Sequence, residues 1–308
     1  MGEDHGLGGS HMSSKKDLAS SRLVSKKEKI FNWIIFVLLL LGAVVMVFPL
    51  IYMIATSFMT KNQILSGTLT ILPDPILIGK YSEVLKKGQF INGIFNSLKV
   101  AIPVLIIGGF TSSLAAFGFA KMRFRGKNAL FLALLATIMI PFAVVMIPQY
   151  VMFTKLGWTN TLLPLIIPGC FGNVSIIFFL RQNLIGIPDD LMEAAKIDGA
   201  TKWQTLTRVT IPNIMPSITI CLFLTITNGF KLFDQNLALT NGQPFEQLKD
   251  GSVIKTTEML ALNIYNTFYG QSLTGKGVAQ AKAVIFFILV AGISIIQLKA
   301  TRSKEVQQ

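Results

Sequence analysis

The stretch Phe31-Asn-Trp-Ile-Ile-Phe-Val-Leu-Leu-Leu-Leu-Gly-Ala-Val-Val-Met-Val-Phe-Pro-Leu-Ile-Tyr-Met53 contains no Asp, Glu, Lys or Arg. About 20 apolar residues in a helix cross the hydrocarbon core of a bilayer, so this block reads as a membrane span. Trp33 and Tyr52 stand near its two ends, where aromatic rings anchor a helix at the interfaces. No cleavable signal peptide is evident, because the block is too long for a signal h-region and lacks a small-residue cleavage site.

Working outward, the same signature returns at about 98–120, 129–153, 162–180, 212–230 and 281–298. The expected fold is an all-α integral membrane protein with six transmembrane helices. Composition agrees: 52% of residues are hydrophobic and 14% charged, against about 25% charged in soluble domains. Prolines inside the blocks (Pro49, Pro103, Pro141, Pro148, Pro164, Pro168) predict kinks, tolerated where protein or a water-lined cavity satisfies the freed backbone groups. Gly108, Ser112, Ala116 and Ala120 recur every fourth residue, a small-residue stripe that lets a neighbouring helix come close.

Residues 1–12 (MGEDHGLGGSHM) read as an expression leader and 13–30 as a basic segment before the first span. Residues 31–300 form the expected transmembrane domain and 301–308 a tail. Both histidines, His5 and His11, fall in the leader, which argues against zinc chemistry and a histidine base. Catalytic and metal residues are therefore expected to be none. Cys170 and Cys221 lie in apolar runs and read as packing residues.

The net charge of +13 reads as topology, with no nucleic-acid partner. A cytoplasmic N-terminus puts 17 of the 28 basic residues on that side, including every Arg in the chain. The excess of Lys and Arg in cytoplasmic loops then sets both termini inside. Asn228, Phe230, Lys231, Phe233 and Asp234, at the end of the fifth block, have two readings. One is a polar and aromatic lining of a pathway; the other is an interfacial Lys231–Asp234 pair that anchors the helix end.

The most informative loop is 187–212, between the fourth and fifth blocks. Pro188 and Asp189 suit a helix start, and Gly199 suits a left-handed close. Thr201 and Gln204 form a T-x-x-Q capping box for a second short helix. Such a helix either docks a partner or rests among the lipid headgroups.

Glu193-Ala194-Ala195, Asp198-Gly199-Ala200 and, eleven residues later, Ile211-Pro212 resemble the EAA loop of ATP-binding-cassette importer permeases. Over roughly residues 31 to 300 the chain is similar to the carbohydrate, maltose-type permeases, through Asn96-Ser97-Leu98, Phe124-Arg125-Gly126-Lys127, Met139-Ile140-Pro141 and Ile147-Pro148. Phe233-Asp234 with Leu239-Thr240-Asn241-Gly242-Gln243-Pro244 is similar to the signature of the partner-type sugar permease, with Gln243 in place of a glycine.

The resemblance implies a type I importer fold in which the 187–212 loop carries a coupling helix held by a separate cytoplasmic ATPase, with Glu193, Ala194, Ala195, Asp198, Gly199 and Ala200 as the coupling residues. Glu193 then either contacts that ATPase or merely solvates the helix. It also implies a second homologous permease, an extracellular or periplasmic solute-binding protein, a sugar cargo (the alternative being another small solute) and a bacterial cell membrane. ATP and Mg would be bound by the partner. The P-loop-like Gly270–Gly277 is rejected because Gly277 stands where a Ser or Thr should bind magnesium and no strand precedes it. A stand-alone secondary transporter is disfavoured, since no inverted repeat or mid-span charge is seen. A membrane enzyme is disfavoured for want of histidine and of an intramembrane carboxylate pair.

Overall fold

The computed structural model describes residues 26–86, 88–247, 253–270 and 275–302. The leader, most of the basic segment and the tail beyond residue 302 lie outside the described residues, as do residues 271–274 of the P-loop-like stretch. The backbone divides into two units, Met1–Ile51 and Tyr52–Gln308. In the first, the described residues belong to α1 (Lys26–Phe58), whose side chains are exposed from Glu28 to Pro49. An apolar helix exposed all round is stable in lipid, not in water.

The second unit begins with the last turns of α1 and continues through α2 (Lys61–Leu65), α3 (Gly79–Lys86) and α4 (Gly88–Pro103). A π-helical turn, Val104–Gly108, joins α4 to α5 (Gly109–Lys121). Next come α6 (Lys127–Ala136) with a 3-10 turn, α7 (Phe142–Lys155), α8 (Leu163–Cys170) and α9 (Val174–Gly186). The loop helices are α10 (Asp189–Ile197), α11 (Lys202–Thr205), a second π turn and α12 (Ile211–Asn213). Finally α13 (Met215–Phe230) and α14 (Asp234–Leu239) lead to α15 (Leu260–Tyr269) and α16 (Gly275–Arg302). A small antiparallel hairpin, β1 (Phe245–Gln247) and β2 (Val253–Lys255), sits between α14 and α15.

Four helical stretches are long and apolar enough to cross a bilayer: Glu28–Phe58, Gln89–Lys121, Leu163–Gly186 and Gly275–Arg302. Two others are bent pairs, Lys127–Met139 with Phe142–Lys155 at 97° and Lys202–Asn213 with Met215–Phe230 at 71°. The kink that Pro141 predicts in the third block is thus a sharp bend. Ile140 precedes Pro141 and is driven to extended backbone (φ −82°, ψ 113°), which ends the helix. The second bend falls at Ile214, flanked by Pro212 and by Pro216 at the start of α13.

Among the described residues three apolar clusters form the interior. Ala116, Phe119, Phe131, Ile177 and Leu180 knit α5, α6 and α9. Val84, Phe90, Leu260 and Ala281 join α3, α4, α15 and α16, and Val100, Phe153, Leu165 and Leu239 join α4, α7, α8 and α14. The small-residue stripe does what its spacing implied. Gly108 meets the Gly169 carbonyl with no room for a Cβ. Ser112 Oγ accepts from Asn173 N at 2.9 Å, and Ala116 is fully buried.

Polar side chains fix the segment before α15. Asn96 Nδ2 donates to the carbonyls of Thr256 (2.8 Å) and Glu258 (3.0 Å), and Leu260 N donates to Ser97 Oγ (3.0 Å). Asn236 donates to Thr257 O at 2.9 Å and accepts from Met259 N at 2.9 Å. Lys282, the eighth residue of α16, is buried and donates to Asn263 Oδ1 and Thr267 Oγ1, both at 2.7 Å. Asn263 in turn donates to Glu258 at 2.6 Å. The sequence reading, which placed charges only at span ends, overlooked this buried network; its members satisfy one another, as burial of ionisable groups demands.

Candidate functional site

A cavity of about 470 Å³ lies among α4, α7, α8, α9, α13 and α14. Its wall includes a break within the Leu163–Gly186 stretch. After α8 the chain takes a left-handed step at Gly172 (φ 110°) and restarts at Asn173. The Asn173 carboxamide caps α9, accepting from Ser175 N (3.0 Å) and Ile176 N (3.2 Å). Thr111 Oγ1 donates to Cys170 O at 2.8 Å, so both sides of the break are tied to α5. Broken helices at membrane depth are tolerated where they line a cavity, and this one does.

The polar lining is Gln149, Asn173, Ser175, Thr225, Asn228 and Gln235, and none of the lining residues is ionisable. Amides and hydroxyls without net charge can exchange hydrogen bonds with a neutral polyol and offer no counter-ion to a charged one.

Of the pathway residues expected from sequence, Asn228 alone lines this cavity. Phe230 is 2% exposed, so it belongs to the packing and offers no ring platform. Phe233 turns to a separate apolar pocket, with its ring centroid 4.7 Å from that of Tyr265. Lys231 and Asp234 are exposed, and no ion pair joins them among the described residues. The interfacial pair is therefore corrected: the break between α13 and α14 separates them, and Asp234 sits in the first turn of α14, where an acid suits the helix dipole. Gln149, Asn173 and Gln235 were missed because they come from three segments far apart in sequence. The break beside Gly172-Asn173 was the available signal.

The second site is the 187–212 loop. Helix α10 starts after Pro188 and carries Asp189 and Asp190 in its first turn; Gly199 closes it at φ 77°. The Thr201–Gln204 capping box is formed, with Gln204 N to Thr201 Oγ1 at 3.2 Å and Thr201 N to Gln204 Oε1 at 2.8 Å. Lys121, at the end of α5, donates to Ile187 O (3.0 Å) and to Asp189 Oδ1 (2.8 Å). That hydrogen bond and the adjacent charge hold the Asp189 carboxyl below its usual range.

Ala195, Asp198, Gly199 and Ala200 meet Gln204 and Arg208 around a hollow of about 390 Å³, whereas Glu193 and Ala194 are exposed outside it. Ala195 is buried against its own chain. Two exposed apolar residues escaped the sequence reading: Ile197 is 86% exposed and Trp203 is 71% exposed.

Residues 108–302 match the family described as the inner membrane component of binding-protein-dependent transport systems. The chain belongs to this family. Its members are transporter permease components, not catalysts. The permease is 33% identical to a probable starch degradation products transport system permease protein, AmyD, of Thermoanaerobacterium thermosulfurigenes, over 92% of this chain and 100% of that protein. It is 26% identical to the arabinooligosaccharides transport permease AraQ of Halalkalibacterium halodurans, over 88% and 97%. In fold it is similar to a chain of a bacterial ABC transporter that imports the acidic polysaccharide alginate, with a TM-score of 0.73 and 20% identity over 89% of this permease and 98% of that chain. The resemblance to carbohydrate-type ABC importer permeases therefore stands.

Proposed function

We propose that this permease forms half of an ATP-driven import pathway for a neutral oligosaccharide. The observation that carries the cargo class is the cavity lined by Gln149, Asn173, Ser175, Thr225, Asn228 and Gln235, with no ionisable group on its wall. An acidic polysaccharide or a phosphorylated solute would need cations there. The starch-product and arabinooligosaccharide relatives support the same class.

In this reading each bent pair is one span, giving six, and both termini lie in the cytoplasm. Helix α10 is the coupling helix. Ile197 and Trp203, exposed beside a small-residue hollow, form the apolar centre of a docking surface for a cytoplasmic ATPase. Glu193 and Asp198 lie on its polar rim. The permease itself holds no cofactor; ATP and Mg belong to the ATPase. A homologous permease supplies the other half of the pathway, and an external solute-binding protein delivers the cargo.

Two measurements test this. Uptake of a maltodextrin by vesicles holding the complete transporter should fall at least tenfold in Asn228→Leu with folding intact; unchanged uptake sinks the cavity assignment. For coupling, Gly199→Trp alone is ambiguous because its positive φ strains any other residue. Ala194→Trp on the exposed face avoids that strain, and retention of both the ATPase and transport in that variant would overturn the docking surface.

A further inference from the structure

A second cavity, of about 510 Å³, opens where α5, α6 and α9 meet, and its wall includes Arg123, Lys127, Asn128 and Arg181. Among the described residues no acidic side chain lines it. The positive-inside rule accounts for basic residues on this side of the membrane. It does not account for three of them converging on one concavity, where like charges repel.

Two of the three cations are held in place. Arg181 donates its Nε to Phe119 O at 3.2 Å, and its guanidinium lies 4.0 Å from the centroid of the Phe131 ring. Among the described residues its two terminal amino groups have no hydrogen-bond partner, so a planar pair of donors is free for a ligand. Lys127 Nζ is anchored on Ala120 O (3.1 Å) and Met122 O (3.0 Å), which fixes its charge at the rim. Arg123 is exposed and carries no hydrogen bond among the described residues. Asp189 is paired with Lys121 and also feels the charge of Arg123, but it is not part of the wall.

We infer that this cavity binds the phosphate of an anionic phospholipid headgroup. A forked guanidinium, two further cations and the uncapped first turn of α6 suit a phosphate dianion or diester. The source is lipid because α5 and α6, which frame the cavity, carry exposed Leu114, Phe117, Leu130 and Leu132, a surface for acyl chains beside the headgroup. Basic pockets between spans on the cytoplasmic side bind anionic headgroups in this manner. Bound there, the lipid would bridge α5, α6 and α9 at the end that also carries Lys121.

The test is native mass spectrometry of the intact transporter, exchanged into micelles containing phosphatidylglycerol, phosphatidylcholine or inorganic phosphate. The expected result is preferential retention of phosphatidylglycerol. Arg123→Gln should weaken that preference about fivefold, and Arg123→Gln with Arg181→Gln about 25-fold. Arg302→Gln, on α16 outside the cavity, should leave it unchanged. Arg123 is exposed, so its variant reports on the cavity even if Arg181→Gln fails to fold. An equal loss in Arg302→Gln, no preference for phosphatidylglycerol over phosphatidylcholine, or inorganic phosphate held as well as the lipid would each overturn the assignment.

Discussion

Two adjacent glycines in span two should respond to alanine with opposite signs. A methyl added at Gly108 overlaps the Gly169 carbonyl oxygen and comes within 3.4 Å of its carbon and 3.7 Å of Cys170 Cα. The obstacle is backbone, which cannot swing aside as a side chain would. At Gly109 the same methyl meets nothing within 4 Å. Both substitutions gain similar helix propensity, about 0.5–1 kcal/mol, so that term cancels in the comparison. What remains is the overpacking cost at Gly108, about 1–3 kcal/mol. Equilibrium unfolding of the purified permease in mixed micelles should therefore place Gly108→Ala below Gly109→Ala by that amount. Because Val104, Gly108 and Gly169 all line the central cavity, uptake should fall in Gly108→Ala and persist in Gly109→Ala. Equal stability of the two variants would refute the close crossing of span two against α8.

Asn96→Leu removes a buried hydrogen bond to Glu258 O and a partly buried one to Thr256 O, and should cost about 2–4 kcal/mol in the same unfolding assay. Asn236→Leu strands Thr257 O and Met259 N, and should cost a similar about 2–4 kcal/mol, read as loss of hydrogen-exchange protection at 257–260. The depressed carboxyl of Asp189 gives a pH signature. Its folded pKa lies below the unfolded one, so its contribution is present above the ordinary carboxylate range and is lost as pH falls through the lowered value. Amide protection of α10 should hold to lower pH in the native permease than in Lys121→Met; coincident profiles would remove Lys121 as the cause.

Much of this architecture was legible because single residue types force it. Apolar block length marks the spans, Gly199 and the Thr201–Gln204 pair mark the loop turns, and the Gly108–Ala120 stripe marks the tight helix contact. All are local patterns, and local patterns survive into three dimensions. The bend angles were not legible. Pro141 announces a break, but 97° depends on what packs on either side. The cavity wall was hidden for a related reason: Gln149, Asn173 and Gln235 converge through tertiary packing, and each alone is an ordinary amide in an apolar run. The attractive cluster at 228–234 misled because adjacency in sequence was taken for a shared direction. The helix break after Phe230 sends Asn228, Phe233 and Asp234 three different ways.

One helix joins the two sites. At its far end α5 holds the start of α10 through Lys121, on Ile187 O and Asp189. At its near end Ser112 receives Asn173 N, and Thr111 holds Cys170 O, fixing both sides of the break that lines the cavity. Between them Phe119 and Ala116 pack on α9, whose Arg181 returns to Phe119 O. Thirteen residues of helix span about 20 Å, a lever with little internal give because its inner face is filled by close-packed side chains. Under the proposed coupling, a displacement of α10 driven by the ATPase therefore reaches Asn173 through hydrogen bonds at both ends of a rigid rod. The physical warrant is contiguity and stiffness, and it assigns the cavity's response to the break at Gly172, where the chain has no helical hydrogen bonds to resist movement.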